Sequence, residues 1–319
     1  MKQTPLRRAL GALAGTLALS VALTACAGDD LASDSGSSEG SSASAGGPLT
    51  IASQSFAEAE LVSNMYQLLL EDAGYDVTLQ LVDARDAYMA DFPGDVDVVP
   101  EYVGGIVNFL NTRENGANAE AFTEADGQDM ADAGADLLDA AGITLLDVSE
   151  AADANAYFVT QDYSDANGVT ALSDLEGQKV VLAAAPDCEG RADCEAGLED
   201  VYGIDITKLL PLGYASEQTY SSVIDGESDL GQTSTTDGTL ESQGLVVLDD
   251  DQGIQPAQNL VPAISTEFLD AHPDVADVLD PLMAALDTDT LAELNGRISV
   301  DRAKPADVAQ EFLTDAGLL

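Results

Sequence analysis

The 319-residue chain carries 58 aspartates and glutamates against 11 lysines and arginines, a formal charge of −47. That balance excludes nucleic acid and anionic lipid head groups as partners, because a polyanion is repelled by a surface of its own sign. With no tryptophan and a single histidine, His272, the sequence offers little for imidazole catalysis or for a zinc shell.

At the amino end, Lys2, Arg7 and Arg8 precede an apolar run from Ala9 to Ala22, which closes on Leu23-Thr24-Ala25-Cys26. This predicts a secretory signal over 1–25, too short for a stable membrane span. Leu-x-Ala-Cys resembles a bacterial lipobox, which implies cleavage before Cys26 and acylation of its sulfur. Residues 26–47 are mostly Gly, Ser, Ala and Asp, cannot bury a core, and are expected to be a flexible tether. The mature chain then keeps eight basic residues against 58 acidic ones, formally −50. Such a surface stays hydrated in strong salt, where long-range repulsion is screened. Salt adaptation is therefore a hypothesis, to be dropped if the protein is as stable in dilute buffer as in molar salt.

Leu49-Thr50-Ile51-Ala52 reads as a first strand, and Ser55-Phe56-Ala57-Glu58 as a capping box, with Ser55 as N-cap and Glu58 at N3. Leu61, Val62, Met65, Leu68 and Leu69 recur at helical spacing, Gly74 ends the helix, and Val77, Leu79 and Leu81 alternate as the next strand. A short helix from Arg85 to Asp91 leads to Asp95–Gly105, where Val96, Val98 and Val99 form a strand stopped by Pro100. Glu101 and Tyr102 then emerge at its carboxyl end, where ligands sit in open α/β sheets. Helices at 106–111 and 125–141 and a strand at 143–146 follow. A second unit starts at Asn155-Ala156-Tyr157-Phe158-Val159-Thr160, with strands at 180–183 and 245–248 and helices at 194–202 and 217–224. The chain returns near Asn259-Leu260-Val261-Pro262, and Ser265–Leu319 reads as helix. No repeat of 20–50 residues occurs, which excludes a solenoid.

Gly94-Asp-Val-Asp-Val-Val-Pro-Glu-Tyr-Val-Gly-Gly105 resembles the Gly-x-x-Asp-(apolar)-x-Pro-Glu-Tyr-x-Gly signature of substrate-binding proteins serving osmoprotectant ABC importers of the glycine betaine/choline/carnitine type. The same resemblance runs through Ser53-x-x-Phe56-x-Glu58, Leu172-Ser173-Asp174-Leu175, Gly197-Leu198-x-x-Val201-Tyr202-Gly203, Gly226-Glu227-x-Asp229, Thr236-Asp237-Gly238 and Leu286-Asp287-Thr288-x-Thr290-x-x-x-Leu294-Asn295. It implies an α/β, two-lobed periplasmic-binding-protein fold of type II character with two crossover strands and no enzymatic activity. Lobe I is expected from 48–152 and 256–319, and lobe II from 153–255.

A quaternary ammonium is held by aromatic faces, and without tryptophan the chain must use tyrosine. Tyr102 and Tyr157 match two cage tyrosines of the family, with Tyr88, Tyr214 and Tyr220 in reserve. Cys188 and Cys194 form an even pair in an exported chain once Cys26 is acylated, which favours a disulfide over a metal site. Their loop replaces a family loop whose arginine grips the ligand carboxylate, so Arg191 is the expected clamp. The alternative is a structural staple in which Arg191 pairs with Asp187 or Asp193. Gln54, Asn155, Thr236, Asp237 and Gln258 complete the expected site, which is more polar than a betaine site.

The expected function is an extracytoplasmic receptor, lipid-anchored at the cell membrane and monomeric, delivering a small betaine-like zwitterion or quaternary ammonium to an ABC importer's permease and ATPase. Neither cofactor nor metal is expected. The alternatives are a receptor for a more polar solute, a sensor module using the same clamp, and, from the wealth of carboxylates, a glycosidase. Against the last, chance alone makes many close carboxylate pairs in so acidic a chain.

Overall fold

The computed structural model describes residues 46–319, so the signal sequence, Cys26 and all but the end of the tether lie outside the described residues. In chain order the elements are β1 (Gly47–Gln54), α1 (Ala57–Asp72), β2 (Tyr75–Val82), α2 (Arg85–Tyr88), β3 (Val98–Tyr102), α3 (Val103–Asn115), α4 (Gly127–Ala133), α5 (Ala135–Ala141) and β4 (Ile143–Leu145). Then come β5 (Asn155–Thr160), α6 (Gln161–Asn167), β6 (Lys179–Ala184), α7 (Glu195–Asp200), β7 (Asp205–Pro211), α8 (Glu217–Ile224), β8 (Leu230–Ser234) and β9 (Leu245–Leu248). The chain closes with β10 (Leu260–Ser265), α9 (Thr266–Ala271), α10 (Asp274–Ala285), α11 (Thr288–Ser299) and α12 (Pro305–Asp315). No helix among the described residues is long and apolar enough to cross a membrane.

Two five-stranded mixed sheets, ordered β2-β1-β3-β10-β4 and β7-β6-β8-β5-β9, form the two lobes of an α/β fold. In each, four strands run in one direction and the crossover strand, β10 or β5, runs against them, pairing antiparallel with both its neighbours. The two connecting segments touch through an isolated bridge between Ala152 and Asn259. On one face of the first sheet, the α1 stripe Leu61, Val62, Met65 and Leu69 packs with Leu279, Leu282, Leu291, Leu294 and Leu313 of the C-terminal helices. Each large apolar side chain buried in this way contributes about 1.5–3 kcal/mol. The opposite face is covered by Tyr88, Val103, Ile106, Val107, Leu110 and Met130.

Several expectations need correction. The capping box does not form: α1 begins at Ala57 behind Phe56 with no side-chain cap, and Glu58 is buried elsewhere. The single helix expected over 125–141 parts at Gly134 into α4 and α5. Strands β7 and β8 had no counterpart in the apolar pattern: β7 lies at a sheet edge, and β8 (Leu-Gly-Gln-Thr-Ser) is central but mostly polar. Its buried Gln232 is satisfied by accepting from the Ala185 backbone N–H at 2.9 Å.

The lobes also meet behind the crossover. Gly238, in the turn after β8, lies backbone to backbone against α11, where a β-carbon on it would collide with the Gly296 nitrogen and the Ala292 carbonyl. A β-carbon on Gly296 would in turn lie 2.9 Å from the Gly238 carbonyl oxygen. A groove of about 740 Å³ opens beside this contact, walled by Asp237, Glu241, Glu293 and Arg297.

The β3–α3 joint is held from beneath. Glu101 is buried and accepts Arg85 Nε at 2.8 Å and Nη2 at 2.9 Å, the Tyr88 hydroxyl, and the Tyr102 backbone N–H at 3.0 Å. The first turn of α3 is docked on the return crossover, with Val103 and Gly104 N–H donating to the carbonyls of Asn259 and Ala257. Only glycine fits at 104, because a β-carbon there would overlap the Ala257 carbonyl oxygen. Removing one partner of a buried, bidentate pair strands the other's charge, at a cost of about 3–5 kcal/mol. Urea unfolding of Arg85→Ala should show a loss of that size, and a loss below about 1 kcal/mol would mean that the pair does not anchor the joint.

Candidate ligand-binding cleft

Tyr102 leaves the carboxyl end of β3 with its ring half-buried and its hydroxyl donating to Glu58 Oε1. Glu58, in the first turn of α1, is only 5% exposed. Its other oxygen accepts from Asn295 Nδ2 of α11, and the same amide donates to the Thr236 carbonyl of the second lobe at 3.1 Å. The Thr236 hydroxyl donates to Asp153 Oδ1 at 3.1 Å, and the Asp153 N–H donates to the Gln258 carbonyl at 3.1 Å. A continuous polar chain, Tyr102–Glu58–Asn295–Thr236–Asp153, thus joins both lobes and both crossovers.

The electrostatics of this chain are dominated by burial. Loss of water, and then the charge of Asp153, push the Glu58 carboxyl up to about 7 in spite of bonds from Tyr102, Thr236 and Asn295. Burial raises Asp153 too, with Thr236 and Ser234 opposing and Asp237 adding to the rise. The Tyr102 phenol is held far above its ordinary range by burial and by the carboxylates of Glu58 and Asp153. Among the described residues no lysine or arginine forms an ion pair with Glu58 or Asp153. Asn295 Oδ1 is buried without a hydrogen-bond partner.

Of the residues singled out from sequence, Tyr102, Thr236, Gln54 and Gln258 come together here. Gln54 lines a small cavity with Phe56 and Tyr102, and the Gln258 amide lies against Gly104. Asp237 anchors the turn after β8, accepting from Tyr220, Thr233 and Thr239. The Tyr220 ring is buried against Phe158, with centroids 5.4 Å apart. The others gather around Asp193 instead. Tyr157 is 1% exposed in the second lobe's core, and its hydroxyl donates to the Asp193 carbonyl at 3.0 Å. Asn155 Nδ2 donates to Asp193 Oδ2 at 3.2 Å, and Gln255 Nε2 to the Asp193 carbonyl at 2.8 Å. Arg191 donates to Asp193 Oδ1 at 2.9 Å and Asp187 Oδ2 at 3.0 Å, and a disulfide between the buried Cys188 and Cys194 closes the loop. The structure does not bring Tyr157 or Arg191 to Tyr102.

Sequence reasoning missed Asp153 and Asn295, held Tyr214 only in reserve, and expected the turn of Phe56 and Glu58 to face a ligand without giving either residue a role. Tyr214 is 44% exposed, and its hydroxyl lies by Ser234 and the carboxylates of Asp153 and Asp237; Phe56 is 40% exposed. Two signals were present in the sequence: Glu58 closes the Ser53-x-x-Phe56-x-Glu58 turn, and Asn295 ends the last of the quoted motifs.

The family model described as "Substrate binding domain of ABC-type glycine betaine transport system" matches residues 47–315. The chain is 26% identical over 283 residues to the glycine-betaine-binding protein of Pseudomonas aeruginosa, covering 85% of this chain and 88% of that one. It is 28% identical over 292 residues to the glycine betaine-binding protein YehZ of Escherichia coli, covering 86% and 92% of the two chains. The solved apo structure of YehZ superposes with a TM-score of 0.71 at 26% identity, covering 85% of this chain and 99% of that one.

Because Glu58 binds its proton more tightly in the fold than in the open chain, the stability it supports is complete below pH 4.5 and is lost as pH rises through about 7. The distance from 4.5 to about 7 corresponds to about 3 kcal/mol. Glu58→Gln, which keeps the shape and removes the charge, should therefore gain stability relative to wild type between pH 5 and 8 and gain nothing at pH 4. Unfolding free energies at three pH values test this, and a pH-independent difference would show that Glu58 is not the titrating group.

Proposed function

Since the chain belongs to the family of substrate-binding domains of ABC-type glycine betaine transport systems, we propose that it captures a small zwitterion between its lobes and delivers it to the importer's permease, which its ATPase drives. In this reading residues 1–25 direct export, acylated Cys26 and the tether to residue 47 hold the receptor at the outer face of the cell membrane, and the receptor catalyses no reaction. Lobe I is assigned 48–152 and 256–319, and lobe II 153–255.

The observation that carries the reading is the polar chain from Tyr102 to Asp153, which draws groups from both lobes into one buried, negatively charged site. A ligand seated there contacts both lobes at once, so it stabilises the closed arrangement over the open one by its differential contacts. A cationic nitrogen is favoured beside Glu58 and Asp153 and against the faces of Tyr102, Tyr214 and Phe56. The ligand's carboxylate is assigned to the side-chain amides of Gln54, which lines a cavity with Tyr102, and of Gln258, beside Gly104; neither has an intramolecular hydrogen-bond partner among the described residues. Arg191, engaged by Asp187 and Asp193, is assigned to stiffening its own loop rather than to the ligand.

A thermal-shift panel of betaine-type zwitterions and choline tests the proposal. A ligand at about 100 times its dissociation constant adds about 2.7 kcal/mol, which moves the midpoint of a chain this size by several degrees. The zwitterions should produce that shift, Tyr102→Ala should abolish it, and Arg191→Ala should leave it intact. Absence of a shift from every solute would remove the proposal, and loss of the shift in Arg191→Ala would restore the carboxylate clamp to that residue.

A further inference from the structure

Two carboxyl groups of this cleft are served by neutral donors alone. Glu58 takes the Tyr102 hydroxyl and the Asn295 amide, and Asp153 takes the Thr236 hydroxyl, whose residue is bound through its carbonyl by the same Asn295 amide. The other groups packed around them bring no free positive charge. From β3, Glu101 lies beneath Tyr102 and is paired with Arg85; from the turn after β8, Asp237 adds a third acid beside Asp153; the segment before α8 brings the Tyr214 phenol, and α11 the neutral Asn295. Like charges held together out of water oppose each other's ionisation, so one of the two carboxyls holds a proton up to neutral pH. The more buried one does: Glu58 is 5% exposed and pushed up to about 7, whereas Asp153 is only partly buried.

The contacts of Glu58 suit both of its protonation states. A hydroxyl donates and accepts, so the bond to Tyr102 survives with the carboxyl as donor, and the Asn295 amide donates to the other oxygen in either case. No rearrangement is needed to move the proton. A cation resting on the face of Tyr102 sits one phenol ring away from this carboxyl, and with water excluded and no basic side chain paired to it, that charge favours the ionised form. Resting on the solute-cleft reading above, we propose that capture is proton-linked: Glu58 is protonated in the empty receptor and releases its proton to solvent as the ligand's cationic nitrogen enters, leaving a carboxylate that balances it. This asks only for the ligand's charge, so a quaternary nitrogen qualifies. Because the empty cleft holds the proton more tightly than the filled one, affinity rises with pH up to and through about 7, where the empty form titrates, and levels off above it.

The test is titration calorimetry of glycine betaine into the purified full-length protein at pH 7, in phosphate and in HEPES, two buffers with different heats of ionisation. Wild type should release about half a proton per ligand, and its affinity should rise about tenfold from pH 6 to pH 8. Glu58→Gln should release none and bind with a flat pH profile. An infrared difference spectrum of wild type at pH 6 gives a readout that needs no variant: the band of a protonated carboxyl should disappear as ligand is added. Betaine binding without proton release, a carboxyl band that persists, or release unchanged in Glu58→Gln overturns the inference and leaves the solute cleft standing. No heat from glycine betaine, carnitine or choline removes the cleft reading and this inference together.

Discussion

The carboxylate of Glu101 is the fixed point of the molecule. A buried anion survives only when its lone pairs are filled, and here Arg85, Tyr88 and the Tyr102 backbone fill them. Meeting that requirement sets the angle at which β3 ends, the place where Tyr102 emerges, and the direction of α3, whose first N–H groups then find the carbonyls of the returning crossover. The signature glutamate therefore works from below the site. Tyr102 is precise because its neighbour cannot move.

The few cations of an acidic chain are spent in the same way. Arg85, Arg191 and Arg297 each pair with carboxylates of their own lobe. The first pair is largely buried and bidentate; the other two lie nearer the surface, where an ion pair contributes little. None reaches Glu58 or Asp153, so no basic side chain among the described residues offsets the acids of the cleft, and burial raises both of them instead.

Much of the first lobe was legible because its strands are apolar and its helices periodic: Val96, Val98 and Val99 before Pro100, and the α1 stripe, read directly as buried surfaces. β8 was not legible, since it is buried through Gly231, Gln232 and Thr233, whose stability comes from satisfied hydrogen bonds and close packing rather than from hydrophobicity. Ser55 and Glu58 fit a capping pattern in one dimension, and only the fold, by placing Tyr102 and Asn295 beside Glu58, gives the carboxylate better partners than a helix end. Tyr157 shows the complementary case. It lies on the penultimate strand of the second sheet, opposite Gln232 and Leu248, and is 1% exposed in that lobe's core.

The contact of Gly238 with Gly296 has a mechanical side. Side chains at a junction can change rotamer and absorb a rotation, whereas two stretches of backbone in van der Waals contact have no such freedom. The junction therefore has no play: a β-carbon at either glycine would have to push the turn after β8 and α11 apart, and the misfit would be carried by the backbone of both.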